Sequence, residues 1–117
     1  MKSRNFRELR VWQLGKKLAL DVYRITERFL SHEQYCLSSQ MRRAAISIPS
    51  NIAEGFNRIH NKEYRNFLFI SLGSCAELET QLEIASGLDY IIAADKEKML
   101  EELDYEGKML RKLAKTL

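Results

Sequence analysis

YRNFLFISLGSCAELETQLEIA, residues 64–85, decides the fold. Within it Tyr64, Leu68, Ser71, Cys75, Leu78, Leu82 and Ala85 recur at alternating steps of four and three. A half-buried strand alternates every second residue, whereas steps of three and four keep side chains on one side of a helix. The run reads as a helix that starts near Asn61, a residue type favoured at helix N-caps, with Gly87 placed to follow its end. The same pattern extends outward from it. Val11, Gly15, Leu18, Val22, Ile25 and Phe29 form a stripe, widened by Trp12, Leu14 and Ala19, and predict a first helix from about Arg7 to Phe29. Ser31, His32 and Glu33 then read as a connection. Leu37, Met41, Ala44, Ile48 and Ile52 predict a second helix from about Gln34, with Gly55 as its stop signal. A fourth is expected to begin near Asp95, another cap residue, and to bury Met99, Leu100, Leu103, Leu110, Leu113, Ala114 and Leu117.

Each stripe is one-sided, so each helix needs partners to cover it. Short connections make sequence neighbours antiparallel. The expected architecture is all-α: one domain, residues 1–117, folded as an antiparallel up-down four-helix bundle. Pro49 lies inside the second helix, where it removes an amide donor and crowds the carbonyl of Ala45. One reading breaks the helix there, with Asn51 and Glu54 capping a restart. The other keeps one helix kinked near Pro49. The stripe stays in phase from Leu37 to Ile52, which favours the kink.

Composition narrows the function. The chain has 117 residues, 45% hydrophobic and 30% charged, with five glycines and one proline. That excludes collagen-like and long disordered chains, and argues against an all-β sandwich. The longest uncharged stretch, Asn66 to Ala76, is far short of the roughly 20 residues that span a bilayer. The opening MKSRNFRELRVW lacks an apolar core and a small-residue cleavage site, so no secretory leader is expected. Cys36 and Cys75 form no CxxC pair and no disulfide framework, and a reducing cytoplasm is the expected location.

Catalytic chemistry is poorly provided for. His32 and His60, the only histidines, both fall in connections, and neither follows a glutamate at the di-iron spacing. There is no HExxH, no zinc spacing, no phosphate-cradling glycine loop and no Gly-x-Ser-x-Gly elbow. Cys75 sits on the heptad stripe and reads as core. No enzyme, cofactor or metal site is expected.

Charge gives the best direct lead. Residues 1–30 hold eight basic and three acidic side chains, so the whole of the chain's +3 excess lies in its first quarter. Arg10, Lys17, Arg24 and Arg28 share one helical face, with Arg7 ahead of them and Asp21 interrupting. Such a face can follow a phosphate backbone, or it can be an ordinary solvated face with Asp21 pairing to Lys17. Phe6 and Trp12 could stack on bases. A second stripe, Gln40, Arg43, Ser47, Asn51 and Glu54, shares the second helix with its apolar face. Ser74, Glu77 and Gln81 run beside the heptad of the third. These residues read either as a solvated face or as a polar network between helices or subunits, with Arg43 paired to Glu77 or Glu54.

SSQMRRAAISIPSNIAEG (residues 38–55), with NFRELRVWQ (5–13) and GSCAELETQLEIASGLDY (73–90), resembles the four-helix-bundle proteins known as 23S rRNA intervening-sequence proteins, the S23 family. Gln40, Arg42, Arg43, Ala44, Ser47, Ile48, Asn51, Ile52, Ala53, Glu54 and Gly55 match the central pattern. Gly73, Ser74, Glu77 and Glu79 match the second. Leu30 stands in place of a usual proline and Cys36 in place of a common glycine, both in the first connection. The resemblance implies bacterial, antiparallel four-helix bundles assembled into homopentameric rings, with no enzymatic activity. It also implies kinship with the accessory protein of diversity-generating retroelements, a basic pentameric barrel that binds nucleic acid and a reverse transcriptase. For the stripe of Gln40, Arg43, Ser47, Asn51 and Glu54 it favours a structural network with Glu77. The expectation is a non-catalytic homo-oligomer that binds structured RNA through Arg7, Arg10, Lys17, Arg24 and Arg28. The alternative is a scaffold that recruits a protein partner such as a reverse transcriptase.

Overall fold

A computed structural model describes residues 5–33 and 36–117. Lys2 and Arg4 of the basic start, and the expected helix start at Gln34, lie outside the described residues. Four helices follow one another: α1 (Arg10–Thr26), α2 (Leu37–Phe56), α3 (Asn61–Gly87) and α4 (Ala93–Lys115). Single 3₁₀ turns at Phe6–Glu8 and Ser31–Glu33 precede α1 and α2. There is no strand among the described residues.

The apolar stripes meet in one core. The stripes of α1 and α3 are buried, from Val11 to Phe29 and from Tyr64 to Ala85, with Trp12, Leu14 and Ala19 partly buried at the edge of the first. Met41, Ala44, Ile48 and Ile52 of α2 and Met99, Leu103, Leu110 and Ala114 of α4 join them. A fully buried leucine or isoleucine contributes about 1.5–3 kcal/mol, so this core dominates the stability. Polar contacts set the register. Thr26 is buried, donates its hydroxyl to the Val22 carbonyl (2.7 Å) and accepts from Arg42 Nε on α2 (2.8 Å). The Arg42 guanidinium also lies 4.7 Å from the centre of the Tyr23 ring. Between α2 and α3, Ser71 donates to the Ile48 carbonyl (2.9 Å) and Ser74 to the Ser47 hydroxyl (2.8 Å). As numbers climb along α2 from Ser47 to Gly55, the partners on α3 fall from Ser74 to Tyr64.

Several helix ends differ from expectation. The helix α2 runs unbroken through Pro49 and there is no restart at Asn51, whose amide donates instead to the Ser47 carbonyl and hydroxyl (both 2.8 Å). Asn61 is not a cap. The first turn of α3 closes on the His60 carbonyl, which accepts from the Tyr64 amide. In α4 the Lys96 amide returns to Ile92, so Asp95 sits within the first turn, where its charge suits the helix dipole. Gly55 does not stop α2, which continues to Phe56. A Cβ on Gly55 would stand 2.7 Å from the Cβ of Phe67, so its missing side chain is what lets α3 approach. The left-handed residue that closes α3 is Asp89 (φ 61°) rather than Gly87, and beyond it the Tyr90 amide returns to the Ala85 carbonyl at 2.9 Å.

Candidate nucleic-acid interface

The basic stripe of α1 lies along the seam with α4. Lys17 Nζ donates to Asp21 Oδ2 (2.9 Å) and to Glu102 Oε2 on α4 (2.6 Å). These hydrogen bonds, Glu102 first, raise the Lys17 ammonium above the usual lysine range, because its charged form is the one they hold. Arg24 pairs with the other oxygen of Asp21 (3.4 Å), and Arg28 reaches Asp95 at the start of α4 (3.7 Å). Both arginine side chains keep about seven-tenths of their surface in solvent (72% and 71%). Arg10 is exposed and forms no ion pair among the described residues. Arg7 folds back on its own turn, donating to Asn5 Oδ1 (3.2 Å) with its guanidinium 4.6 Å from the Phe6 ring centre. Below Arg10 and Lys17 the two helices diverge around a groove of about 800 Å³, floored by Leu14 and Met109 and rimmed by Lys98, Glu101 and Tyr105.

The fold therefore brings the α1 cations together with acids that sequence spacing could not assign to them. Asp21 is visible as an i+4 partner of Lys17. Glu102 and Asp95 carry no such signal, because they arrive from a helix about 85 and 67 residues further on, through tertiary packing alone. Sequence reasoning placed Arg42 in the family pattern but gave it no role of its own. It joins Lys16, which stands 5.7 Å from the Trp12 ring centre, on the opposite flank of α1. There an apolar groove of about 390 Å³ runs between α1 and α2, lined by Phe6, Trp12, Leu20, Tyr23, Ile46 and Pro49.

The polar stripe divides. Ser47, Asn51 and Ser74 form a hydrogen-bonded strip between α2 and α3. Gln40, Arg43, Glu54 and Glu77 are exposed beside it. Glu54 pairs with Arg58 (3.0 Å), and Arg43 forms no ion pair with Glu77 or Glu54 in the chain. The expected Arg43 pairing is therefore not made within the chain. Both arginine and glutamate stay hydrated, which removes the need for a local partner. The same flank exposes Ile70 and Ile84 of α3.

Nucleophiles are not assembled. Burial, with the Glu106 and Glu79 charges, pushes the Cys75 thiol up to about 12. His32, His60 and Cys36 are exposed. No group of three metal-ligating side chains occurs among the described residues. None of the helices is long and apolar enough to cross a membrane.

The profile of the 23S rRNA-intervening sequence proteins matches residues 7–112, almost the whole of the bundle. The chain belongs to the 23S rRNA-intervening sequence protein family. Among solved structures it is similar to a protein with unknown function from the S23 ribosomal protein family of Bacteroides thetaiotaomicron VPI-5482. The two share 26% identity and a TM-score of 0.81, over 90% of this chain and 98% of that one. No curated protein shows a significant match. The family resemblance read from residues 38–55 thus stands, and the match continues beyond Tyr90 through most of α4, to residue 112.

Proposed function

We propose that this member of the family is a non-catalytic homo-oligomer, a pentameric ring, that binds structured RNA through the outward face of α1. The observation that carries the reading is the fixed row of Arg10, Lys17, Arg24 and Arg28. Asp21, Glu102 and Asp95 pair with the charged heads of three of the four, and the Arg24 and Arg28 side chains still keep most of their surface in solvent. From Arg10 to Arg24 the row spans about 21 Å at 1.5 Å per residue, about six steps of a nucleic-acid strand. Contact is to phosphate rather than to base edges, so binding is salt-steep and tolerant of sequence. The same acids compete with phosphate, so a single chain binds weakly and a ring gains by presenting several rows at once. Self-association uses the α2–α3 flank, where Arg43 and Glu77 are both exposed and free of each other within a chain, and so are available to a neighbouring copy.

A second reading rests on a different observation. Leu20, Tyr23 and Ile46 leave an apolar patch open on the α1–α2 groove, which suits a protein partner better than RNA. In that case the ring is a scaffold for a partner such as a reverse transcriptase, without direct nucleic-acid contact.

The test is anisotropy of labelled structured RNA and duplex DNA between about 50 and 200 mM salt, where phosphate contacts lose most of their affinity. It is run beside a variant with Arg10, Lys17, Arg24 and Arg28 changed to Ala. Binding with a steep salt slope, shallower in the variant, is the expected result. Absence of binding at the lowest salt would leave the scaffold reading. Light scattering tests assembly: a particle of the 13.7 kDa chain mass at micromolar concentration would remove the ring.

A further inference from the structure

Glu106 is fully buried where the four helices meet. On the α1 side it faces Gly15. A Cβ there would stand 3.0 Å from Glu106 Oε2, 3.3 Å from Ile48 Cγ2 and 3.4 Å from the Pro49 nitrogen. The carboxyl therefore reaches across α1, over the one stripe residue without a side chain, toward the proline turn of α2. From α3 the titratable neighbour is Cys75, a neutral thiol, with Glu79 and Arg111 acting on that thiol from farther out. On α4 itself Glu102 is occupied with Lys17 at the surface. Beside the carboxyl, the atoms nearest a Cβ on Gly15 belong to the uncharged Ile48 and Pro49, and burial rather than a neighbouring charge is what acts on Glu106.

Neither oxygen of Glu106 receives a hydrogen bond from the described residues. An ionised carboxylate can only accept, and a buried one with no donor is a costly arrangement. A neutral acid has a proton to donate. On α2 there is an acceptor in the matching situation. The Ala45 carbonyl would take the amide of residue 49, but proline has none. Ala45 is fully buried, so water does not replace that amide.

We propose that Glu106 is held as the neutral acid and donates its proton to the Ala45 carbonyl that Pro49 leaves open, a proton-dependent lock joining α4 to α2 across Gly15. Burial pushes the carboxyl up to about 8, in keeping with a group that retains its proton through neutral pH. Loss of that proton places a bare charge at the crossing of all four helices and loosens α4 from α1 beside the groove. The lock does not depend on what the α1 surface binds.

The test compares the unfolding equilibrium of the wild type with Glu106→Gln from pH 4 to 10. Glutamine keeps the shape and a donor but cannot ionise. In the unfolded chain Glu106 ionises near 4.5 and in the folded chain near 8, so between those values only the unfolded state loses the proton. Wild type should therefore lose stability relative to Glu106→Gln by close to tenfold per pH unit across that window, and the difference should level off above it. A ratio that stays flat, or a Glu106 carboxyl carbon signal that titrates near 4.5, would overturn the neutral acid. The Ala45 contact is read separately. Pro49→Ala restores the missing amide, so Glu106→Leu should cost far less in that background than in wild type. Equal costs in the two backgrounds would overturn the contact. If Glu106→Leu does not fold, the same cycle with Glu106→Met at pH 6, where the wild-type acid keeps its proton, takes its place, with the same two outcomes.

Discussion

A Cβ added to Gly55 would meet the Cβ of Phe67 at 2.7 Å, closer than side-chain carbons pack, with the Tyr64 carbonyl at 3.2 Å. The tight junction of α2 with α3 therefore depends on one absent methyl group. Gly55→Ala gains about 1 kcal/mol of helix propensity. It should lose more to overpacking, which costs about 1–3 kcal/mol and is worse here because backbone-fixed atoms must move. The net result should be a lower melting temperature, and a rise would show that the α2–α3 junction relaxes freely.

Gly73 gives the opposite case. It lies mid-helix in α3, is exposed, and has nothing within 4 Å of an added Cβ. Within one chain, Gly73→Ala should stabilise by about 0.5–1 kcal/mol. In the proposed oligomer the same face meets a neighbour. The variant should then show a smaller particle in light scattering while its helix resists denaturant better. An unchanged particle mass would move the interface away from Gly73.

Arg43 and Glu77 are exposed and unpaired with each other, so Arg43→Ala and Glu77→Ala should each change the stability of the isolated chain by less than about 0.5 kcal/mol. Sedimentation should reveal the effect instead, as weaker assembly for either single change. Restoration in the double exchange Arg43→Glu with Glu77→Arg is expected if the two residues meet across subunits. A large fall in the melting temperature of a single variant would place the pair inside the chain after all.

Cys75 and Cys36 should separate cleanly under a thiol reagent. Cys36 is exposed, and Cys75 is buried with its thiol raised to about 12. At pH 8, mass spectrometry should find one label per native chain and two after denaturation. The unfolded Cys75 thiol ionises near 9, so between about 9 and 12 the unfolded state alone sheds this proton. Stability should fall with rising pH over that window, and Cys75→Ser should remove this part of the slope.

Lys17 tests the seam. Its side chain is about half exposed (48%), so Lys17→Ala should cost no more than about 1 kcal/mol despite two short ion pairs. Part of that cost is the release of Glu102, whose Oε1 is buried without a partner. Lys17→Ala together with Glu102→Ala should therefore cost less than the sum of the two, as read by a double-mutant cycle in denaturant.

The four helices and most of their buried faces follow from the sequence alone, because helical periodicity is a local property. The steps from Tyr64 to Ala85 and from Val11 to Phe29 name core residues without reference to any partner. The family is equally legible in residues 38–55. What the sequence left open depended on atoms from distant segments. Asn61 and Asp95 have the chemistry of caps, but the first turns close on His60 and Ile92, where the incoming chain places the backbone. The α4 stripe steps from Leu103 straight to Leu110, and that gap was the one visible sign that Glu106 and Gly107 had to be buried. Only the packing of α1, α2 and α3 around them made a glutamate a core residue. The α1 cations were legible as a row, while their acids came from Glu102 and Asp95 on α4. Local patterning selects which face of a helix avoids water; which charge faces which, and which carboxyl keeps its proton, is decided by how the four faces close on one another.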